Sequence, residues 1–578
     1  MPDKLTTYKQ ALAEVPDTAL AWCLHGAGME NFGRGDGPEW IPVPEPADDE
    51  LLCRVDACGL CFSDIKIIRL GGEHPRLVGR DLARNPVIPG HEAALTIVRV
   101  GDDLRAEYAV GDRFIVQADI YYKGQGLAFG YVLPGALQQY VRIGREVLHG
   151  DEGCYLLPVK PTTGYAESAL AEPWACVERS YVAAHRGGIK HGGTLLVLAG
   201  DGAGGPWRLS ATGRPDLVLI HESVPRPLRG LFVRHARHAA DVEGGIAEVA
   251  AEHSPRGLDD IVIFGAPSPE LAESAAAHLA PEGILNLCTA TRLSGPVAVD
   301  VGRVHYDGIH LLGTAGPDVA SAYDRPRSSE LLAGGTAWFI GAGGPMGQMH
   351  VQRAAEMVEG PALILATDVD TERLQRVKAR FAPAAEARGA RLVCLNPAEM
   401  APEAFEQALS DLTNDAGFSD IVLLAPVPKL IEQAAPHLAD TGVFNIFAGL
   451  AKGTMASLDL SDVALRGVRF TGTSGSAISD LQLTLGKTEA GTLSPNGSVA
   501  AIGGIYTVKQ GLEGVRDGRF PGKVVIFPQL TDLPLLALPD LKDALPSVYA
   551  QLAPGEIWTR EAEKELLRLK LPDEGETA

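Results

Sequence analysis

The middle of the chain repeats itself, and that repeat constrains the fold more than any other feature. GGTLLVLAGDGAGG from Gly192 aligns with GGTAWFIGAGGPMG from Gly334, each an apolar run emptying into a glycine-rich turn. Further on, DIVIFGAPSPELAESAAAHLAPEGILN from Asp260 matches DIVLLAPVPKLIEQAAPHLADTGVFN from Asp420 with one residue of slip, and the copies close on GIHLLGTAG at Gly308 and GVRFTGTSG at Gly467. Strand-like apolar runs alternating with helix-like stretches such as Pro269 to Leu279 predict parallel βαβ units with both sheet faces covered. The expected architecture is a doubly wound α/β sheet, present twice.

The copies are unequal. Thr194 to Asp260 takes 66 steps where Thr336 to Asp420 takes 84, a loss of 18 residues from the first copy. Most of it falls after Glu222, and a smaller part in the first helix, where Pro206 to Arg214 stands for the longer Met346 to Val358. In the second copy Gly341, Gly343 and Gly347 follow the strand-like Ala337 to Ile340, and Asp368 follows the next, Ala362 to Ala366. Glycines there allow a tight turn and a close approach of pyrophosphate to the backbone, and the helix beyond offers free N–H groups and a favourable dipole. An acid at the position of Asp368 suits both ribose hydroxyls and repels a 2′-phosphate, which favours NAD over NADP. The residues expected to hold NAD are Gly341, Gly343, Gly344, Pro345, Met346, Gly347, Asp368, Arg373 and Thr473. The first copy keeps Gly200, Gly202, Gly205 and Glu222 but puts Asp201 where a phosphate would lie, so a structural scaffold is expected of it.

Composition excludes several other functions. A formal net charge of −22 opposes binding to nucleic acid, whose affinity comes from Lys and Arg neutralising phosphates. No stretch approaches the ~20 apolar residues that span a bilayer, and Met1 to Leu20 lacks the basic start and apolar run of a secretory signal. Eight cysteines spread over 578 residues do not form a disulfide framework, which points to a reducing, cytoplasmic setting.

The N-terminal third is β-rich, with short alternating runs such as Glu50 to Ala57 and Ala94 to Val100. It holds Cys61-Phe62-Ser63-Asp64, then Gly90-His91-Glu92, and later Glu172-Pro173. Thiolate, imidazole and carboxylate are the ligand types that suit Zn²⁺. ACGLCFSDIK, PVIPGHE, VGDRF and LAEPWACV, in this order and joined by GAGGPMG and GKVVIFP, resemble the landmarks of the zinc-containing medium-chain dehydrogenase/reductase superfamily, above all its sorbitol and threonine dehydrogenase branch. The resemblance covers nearly the whole chain except the extra copy.

It implies an α/β chain with a GroES-like β-rich catalytic domain over 1–185, a shortened Rossmann-like domain over 186–330, the NAD-binding Rossmann domain over 331–480, and a return to the catalytic domain with a helical tail over 481–578. It also implies that Cys61, His91 and one or both of Glu92 and Glu172 hold a catalytic zinc. Asp64 would orient His91, as a ligating imidazole requires, and Ser63 would be the first station of a proton relay. Cys58 is read as a buried thiol. The chain departs from the family at three places. Asp119 to Gly135 carries no cysteine, so a structural zinc is not expected. Lys66 stands where relatives place a relay histidine, so either Lys66 with a depressed pKa passes the proton or another path does. Leu95 stands where a glycine usually follows GHE.

These features imply hydride transfer between NAD and the secondary alcohol of a polyol, sugar or sugar phosphate, with the zinc acting on the alcohol oxygen. Two other readings are a redox-neutral epimerase that keeps its NAD, and a non-catalytic assembly protein. In ordinary relatives the Rossmann domains of two subunits pair edge to edge. The first copy is therefore expected to take the partner's place within one chain, an internal pseudo-dimer that leaves the protein monomeric or dimeric by another surface.

Overall fold

The two copies share one sheet. In the computed structural model, which describes residues 3–210, 213–324 and 327–572, twelve strands run in a single order through both repeats. His238–Val242, Leu217–His221, Thr194–Ala199, Leu258–Phe264, Leu279–Cys288 and His310–Thr314 form the first half; Arg469–Thr471, Leu438–Ile446, Phe418–Leu423, Thr336–Ile340, Leu363–Thr367 and Arg391–Leu395 form the second. Within each half the strands are parallel, and numbered along its own copy each follows the order 3-2-1-4-5-6 of a doubly wound dinucleotide fold.

The halves meet at one antiparallel junction. Leu311 of His310–Thr314 lies opposite Phe470 of Arg469–Thr471. Beside it, Val297–Asp300 pairs antiparallel with Met455–Leu458, the corresponding segment of the other copy. Equivalent segments facing each other in this way make a contact with the character of a two-fold interface, built here inside a single chain. One apolar core runs across the join, with Ile263, Leu285 and Leu311 from the first copy and Phe444, Ile446 and Phe470 from the second. The repeat extends to a buried ion pair. Asp260 accepts from the Lys190 amide and pairs with Arg186 at 2.7 Å, while Asp420 accepts from the Leu332 amide and pairs with Arg327. Burial pushes both carboxyls up to about 6.

The first copy departs from the expected pattern after its first strand. A shortened helix was expected over Pro206 to Arg214, and no helix stands there among the described residues. Asp201 instead exchanges backbone hydrogen bonds with Ala266 at 2.9 and 2.8 Å, and Trp207 packs its ring 5.5 Å from Phe264. Proline, glycine and the Trp207 anchor pull the segment off the helical path. The copy therefore lacks the helix N-terminus on which pyrophosphate rests. The second copy builds that helix at Pro345–Glu356.

His350, on this helix, is fully buried; its Nδ1 lies 2.6 Å from the Tyr181 hydroxyl and the Phe447 ring packs against it at 4.4 Å. Burial first, and then the Arg353 guanidinium, drive its imidazole from the ordinary 6.5 down to about 3. A group depressed on folding stabilises the fold above its unfolded value, so this contribution is lost as pH falls from 6.5 toward 3, at about 1.4 kcal/mol per unit. His350→Phe is expected to flatten the acid limb of a urea-midpoint profile by that slope, and an unchanged limb would contradict the assignment.

The chain forms two compact units. One contains both copies and spans Arg179–Gly343 and His350–Ser474; the other joins the N-terminal segment through Glu178 to Gly344–Met349 and to the chain from Gly475 onward. The second unit centres on an eight-stranded sheet in which Leu51–Gly59 pairs with Glu92–Val100, Tyr140–Ile143 and Lys523–Phe527. Leu51–Gly59 is buried along its whole length. Its two charged residues are consequently paired, with Arg54 2.7 Å from Asp56, and Asp56 takes further hydrogen bonds from Tyr8 and Thr96. The tail helix Arg560–Lys570 is capped by Thr559, which accepts from the Ala562 amide. No helix among the described residues is long and apolar enough to cross a membrane.

Candidate active site

Two strand ends and a helix start bring the site together. Just beyond Leu51–Gly59 the chain turns into helix Phe62–Leu70, and Cys61 is its N-cap. The Ser63 amide reaches Cys61 Sγ at 3.5 Å, while the Cys61 amide donates to Asp64 Oδ2 at 3.0 Å, so a capping box fixes both side chains. The other oxygen of Asp64 faces the next strand. It accepts from the Gly90 amide and from His91 Nδ1, both at 3.2 Å. Nδ1 therefore donates to Asp64, and Nε2 is the nitrogen left to face a ligand. Burial would depress the His91 imidazole, but Asp64, helped by Tyr131 and Cys61, raises it well above its usual range.

Glu92 opens strand Glu92–Val100 and is completely buried. Its Oε1 is bonded by the Lys523 ammonium, itself only 5% exposed, whereas Oε2 has no hydrogen-bond partner. Gly59 leaves room for that oxygen, since a Cβ there would come within 2.0 Å of it. Cys61, His91 and Glu92 each offer one ligand atom, and the three atoms lie within 4.8 Å of one another. A buried carboxylate oxygen with no donor, next to a thiol and a free imidazole nitrogen, is the environment a divalent cation would satisfy. The residues fit zinc.

Glu172 stands apart from that trio. It lies in the first turn of helix Ala171–Val182, and the Cys176 thiol, one turn on, approaches its Oε1 at 3.9 Å. Burial pushes the Glu172 carboxyl up to about 7; Glu92 and Asp119 act in the same sense, against His91 and Lys523. It thus senses the trio's charges without joining it. Ser63 and Lys66 are half-buried on helix Phe62–Leu70. Cys58 is buried with its thiol well above the usual range, first through burial and then through the charge of Asp64.

Lys523 escaped the sequence reading. It sat in plain view inside the apolar run GKVVIFP, where a buried lysine demands an anionic partner. Tyr131, Asp119 and Cys176 were missed as well, because nothing in their local sequence marks them.

In the second copy Gly341 has φ +84°, and a Cβ there would come within 2.9 Å of the Ala425 amide nitrogen. Asp368 Oδ2 accepts from the Gly343 amide at 2.8 Å, so the acid braces the glycine turn, and a Cβ on Gly343 would meet both it and Arg373. Gly344 leads into the helix, whose first turn holds Pro345, Met346 and Gly347. Arg373 is tied to Asp370 at 3.3 Å. Thr473 lies just past the last strand of the copy, with its buried hydroxyl lacking a hydrogen-bond partner.

Comparison with known proteins gives several likenesses. Residues 47–150 match the alcohol dehydrogenase GroES-like domain. Mannitol-1-phosphate 5-dehydrogenase of Aliivibrio fischeri is 28% identical over 323 residues, covering 51% of this chain and 74% of that protein. YggP of Escherichia coli, an uncharacterized protein, is 25% identical over 559 residues, 93% of this chain and 95% of its own length, so the likeness runs through both copies. Among solved structures, 2R,3R-butanediol dehydrogenase from Bacillus subtilis matches with a TM-score of 0.50 at 15% identity, over 88% of this chain and 99% of that one, a likeness of fold.

Fold and kinship together define an oxidoreductase with a GroES-like domain and a doubly wound sheet. The GroES-like domain and the sorbose-phosphate reductase and sorbitol dehydrogenase relatives support a place in the medium-chain dehydrogenase/reductase superfamily, and the chain carries the dinucleotide fold in duplicate.

Proposed function

We propose that the chain is a zinc-dependent dehydrogenase that exchanges a hydride between NAD and the secondary alcohol of a polyol, sugar or sugar phosphate. The observation that carries this reading is the unpartnered Glu92 Oε2 beside Cys61 Sγ and the free Nε2 of His91. When bound, zinc acidifies the alcohol and NAD takes up the carbinol hydride. The chain's own residues prepare the site. Asp64 holds the His91 tautomer, and Lys523 secures one oxygen of Glu92. Ser63 stands at the mouth of the helix as the first station for the outgoing proton, with Lys66 or another group beyond it.

One zinc per chain is proposed. A second Cys/His/Glu group, Cys23, His25 and Glu39, also brings its ligand atoms together. Its carboxylate is already committed, however, to His25 at 2.6 Å on one oxygen and to Arg34 at 3.1 Å on the other. We assign that group to structure. Reduced, scattered cysteines fit a cytoplasmic enzyme. The internal junction at Leu311 and Phe470 supports an internal pseudo-dimer, in a protein that is a monomer or a dimer by another surface.

The nucleotide belongs to the second copy. Asp368→Ala is expected to raise the KM for NAD by roughly 10- to 100-fold in NADH production from a polyol panel, while Glu222→Ala leaves it within about twofold, since a charged ribose contact contributes some 1.5–3 kcal/mol. The opposite pattern would move the site to the first copy. Sugar turnover without net NADH would favour a redox-neutral enzyme.

A further inference from the structure

Beside the Cys61–His91–Glu92 group lies a set of basic residues of which the dehydrogenase reading gives a candidate role to Lys66 alone. Lys66 sits on helix Phe62–Leu70, and the chain then passes through the short turn Gly71–Glu73 to His74 and Arg76. Tyr131 connects them to the metal ligands. Its ring centroid is 5.9 Å from that of His91 and 5.5 Å from that of His74, and the Arg76 guanidinium lies 5.0 Å over it. Arg76 is held by Asp119 at 2.5 Å.

The donors are prepared for an anion. The Arg76 amide donates to His74 Nδ1 at 3.3 Å, so a neutral His74 carries its proton on Nε2, outward, as a donor. Burial first, and then the charges of Arg76 and Lys66, lower the His74 imidazole, and Lys66 lies on the helix that leads through the turn to His74. Asp119 occupies part of the Arg76 fork and leaves further N–H groups. Lys66 forms no ion pair among the described residues. In a chain of net charge −22, two cations and a neutral imidazole donor one aromatic ring from the reacting centre attract an anion, whereas a neutral polyol gains little from them.

We propose that Arg76, His74 and Lys66 form a phosphoryl subsite, so that the substrate is the phosphate monoester of a polyol or sugar rather than the free compound. This inference rests on the dehydrogenase reading for the reacting end and names the chemistry at the other end. A guanidinium fork, an imidazole N–H and an ammonium match the three oxygens of a phosphate dianion. Lys66 then serves binding, and the proton leaves by another route.

The zinc-loaded full chain is titrated calorimetrically with inorganic phosphate alone, and its kcat/KM is measured with a hexitol 1-phosphate and with the free hexitol. Wild type is expected to bind phosphate and to prefer the ester; Arg76→Met should weaken phosphate binding and cut the preference ratio by about 30-fold, with Arg76→Lys recovering part of it. Arg105→Gln, which opens an exposed pair with Asp102, should bind phosphate as wild type does. Wild type that binds no phosphate, or an Arg76→Met chain that keeps wild-type affinity and preference, overturns the subsite. NADH from the free hexitol in that event leaves the dehydrogenase reading standing. Phosphate binding that depends on Arg76 in a chain that oxidises neither compound supports the subsite and sinks the dehydrogenase reading.

Discussion

Replacing Cys61 with serine is expected to strip the chain of zinc and to lower alcohol oxidation by about a thousand-fold, because the Lewis acid supplies several kcal/mol of the lowered barrier. The fold should survive. Cys61 is an N-cap, and serine is a preferred N-cap residue, so the capping box with Asp64 can persist. Circular dichroism should therefore match wild type while metal analysis and turnover both collapse. A milder loss, about 10- to 100-fold, is expected for Asp64→Asn, which keeps the shape but weakens the hold on His91 Nδ1. Were both variants to retain wild-type turnover, the trio would have no part in the chemistry.

Removing the Lys523 ammonium should have the largest effect on stability. Lys523 and Glu92 are 5% and 0% exposed, and breaking such a buried pair leaves an uncompensated charge at a cost of about 3–5 kcal/mol. Lys523→Met is thus expected to lower the urea midpoint of the metal-free protein sharply. The double variant with Glu92→Gln should recover much of the loss, because no charge remains to strand. Zinc should also narrow the deficit of the single variant, since a cation beside Glu92 Oε2 takes over part of the neutralisation. A deficit unaffected by zinc would place the metal elsewhere.

How far the sequence could be read follows from which interactions are local. The glycine turn at Gly341 and Gly343, the acid Asp368 and the strand–helix alternation are written over short spans, and the order of the twelve strands follows from applying one topology twice. Cys61, Asp64 and His91 were legible because ACGLCFSDIK and PVIPGHE are short contiguous motifs with ligand-type side chains. The missing helix of the first copy was not legible. Pro206 to Arg214 has the length of two helical turns, and the packing of Trp207 on Phe264 and the Asp201–Ala266 bridge add tertiary contacts to the local effect of proline and glycine among the described residues. Lys523 meets Glu92 from 431 residues away, and Tyr131 gathers His91, His74 and Arg76 across a loop. Such contacts have no local period or spacing to announce them. Glu172 and Glu92 were equivalent candidates in the sequence; both are buried, and the ligand atoms that lie within 4.8 Å of one another are those of Cys61, His91 and Glu92.

The most direct test is anomalous diffraction at the zinc edge from crystals of active protein. The account predicts one peak per chain, at bonding distance from Cys61 Sγ, His91 Nε2 and Glu92 Oε2. No peak there, or a sole peak at Cys23, His25 and Glu39, would contradict it.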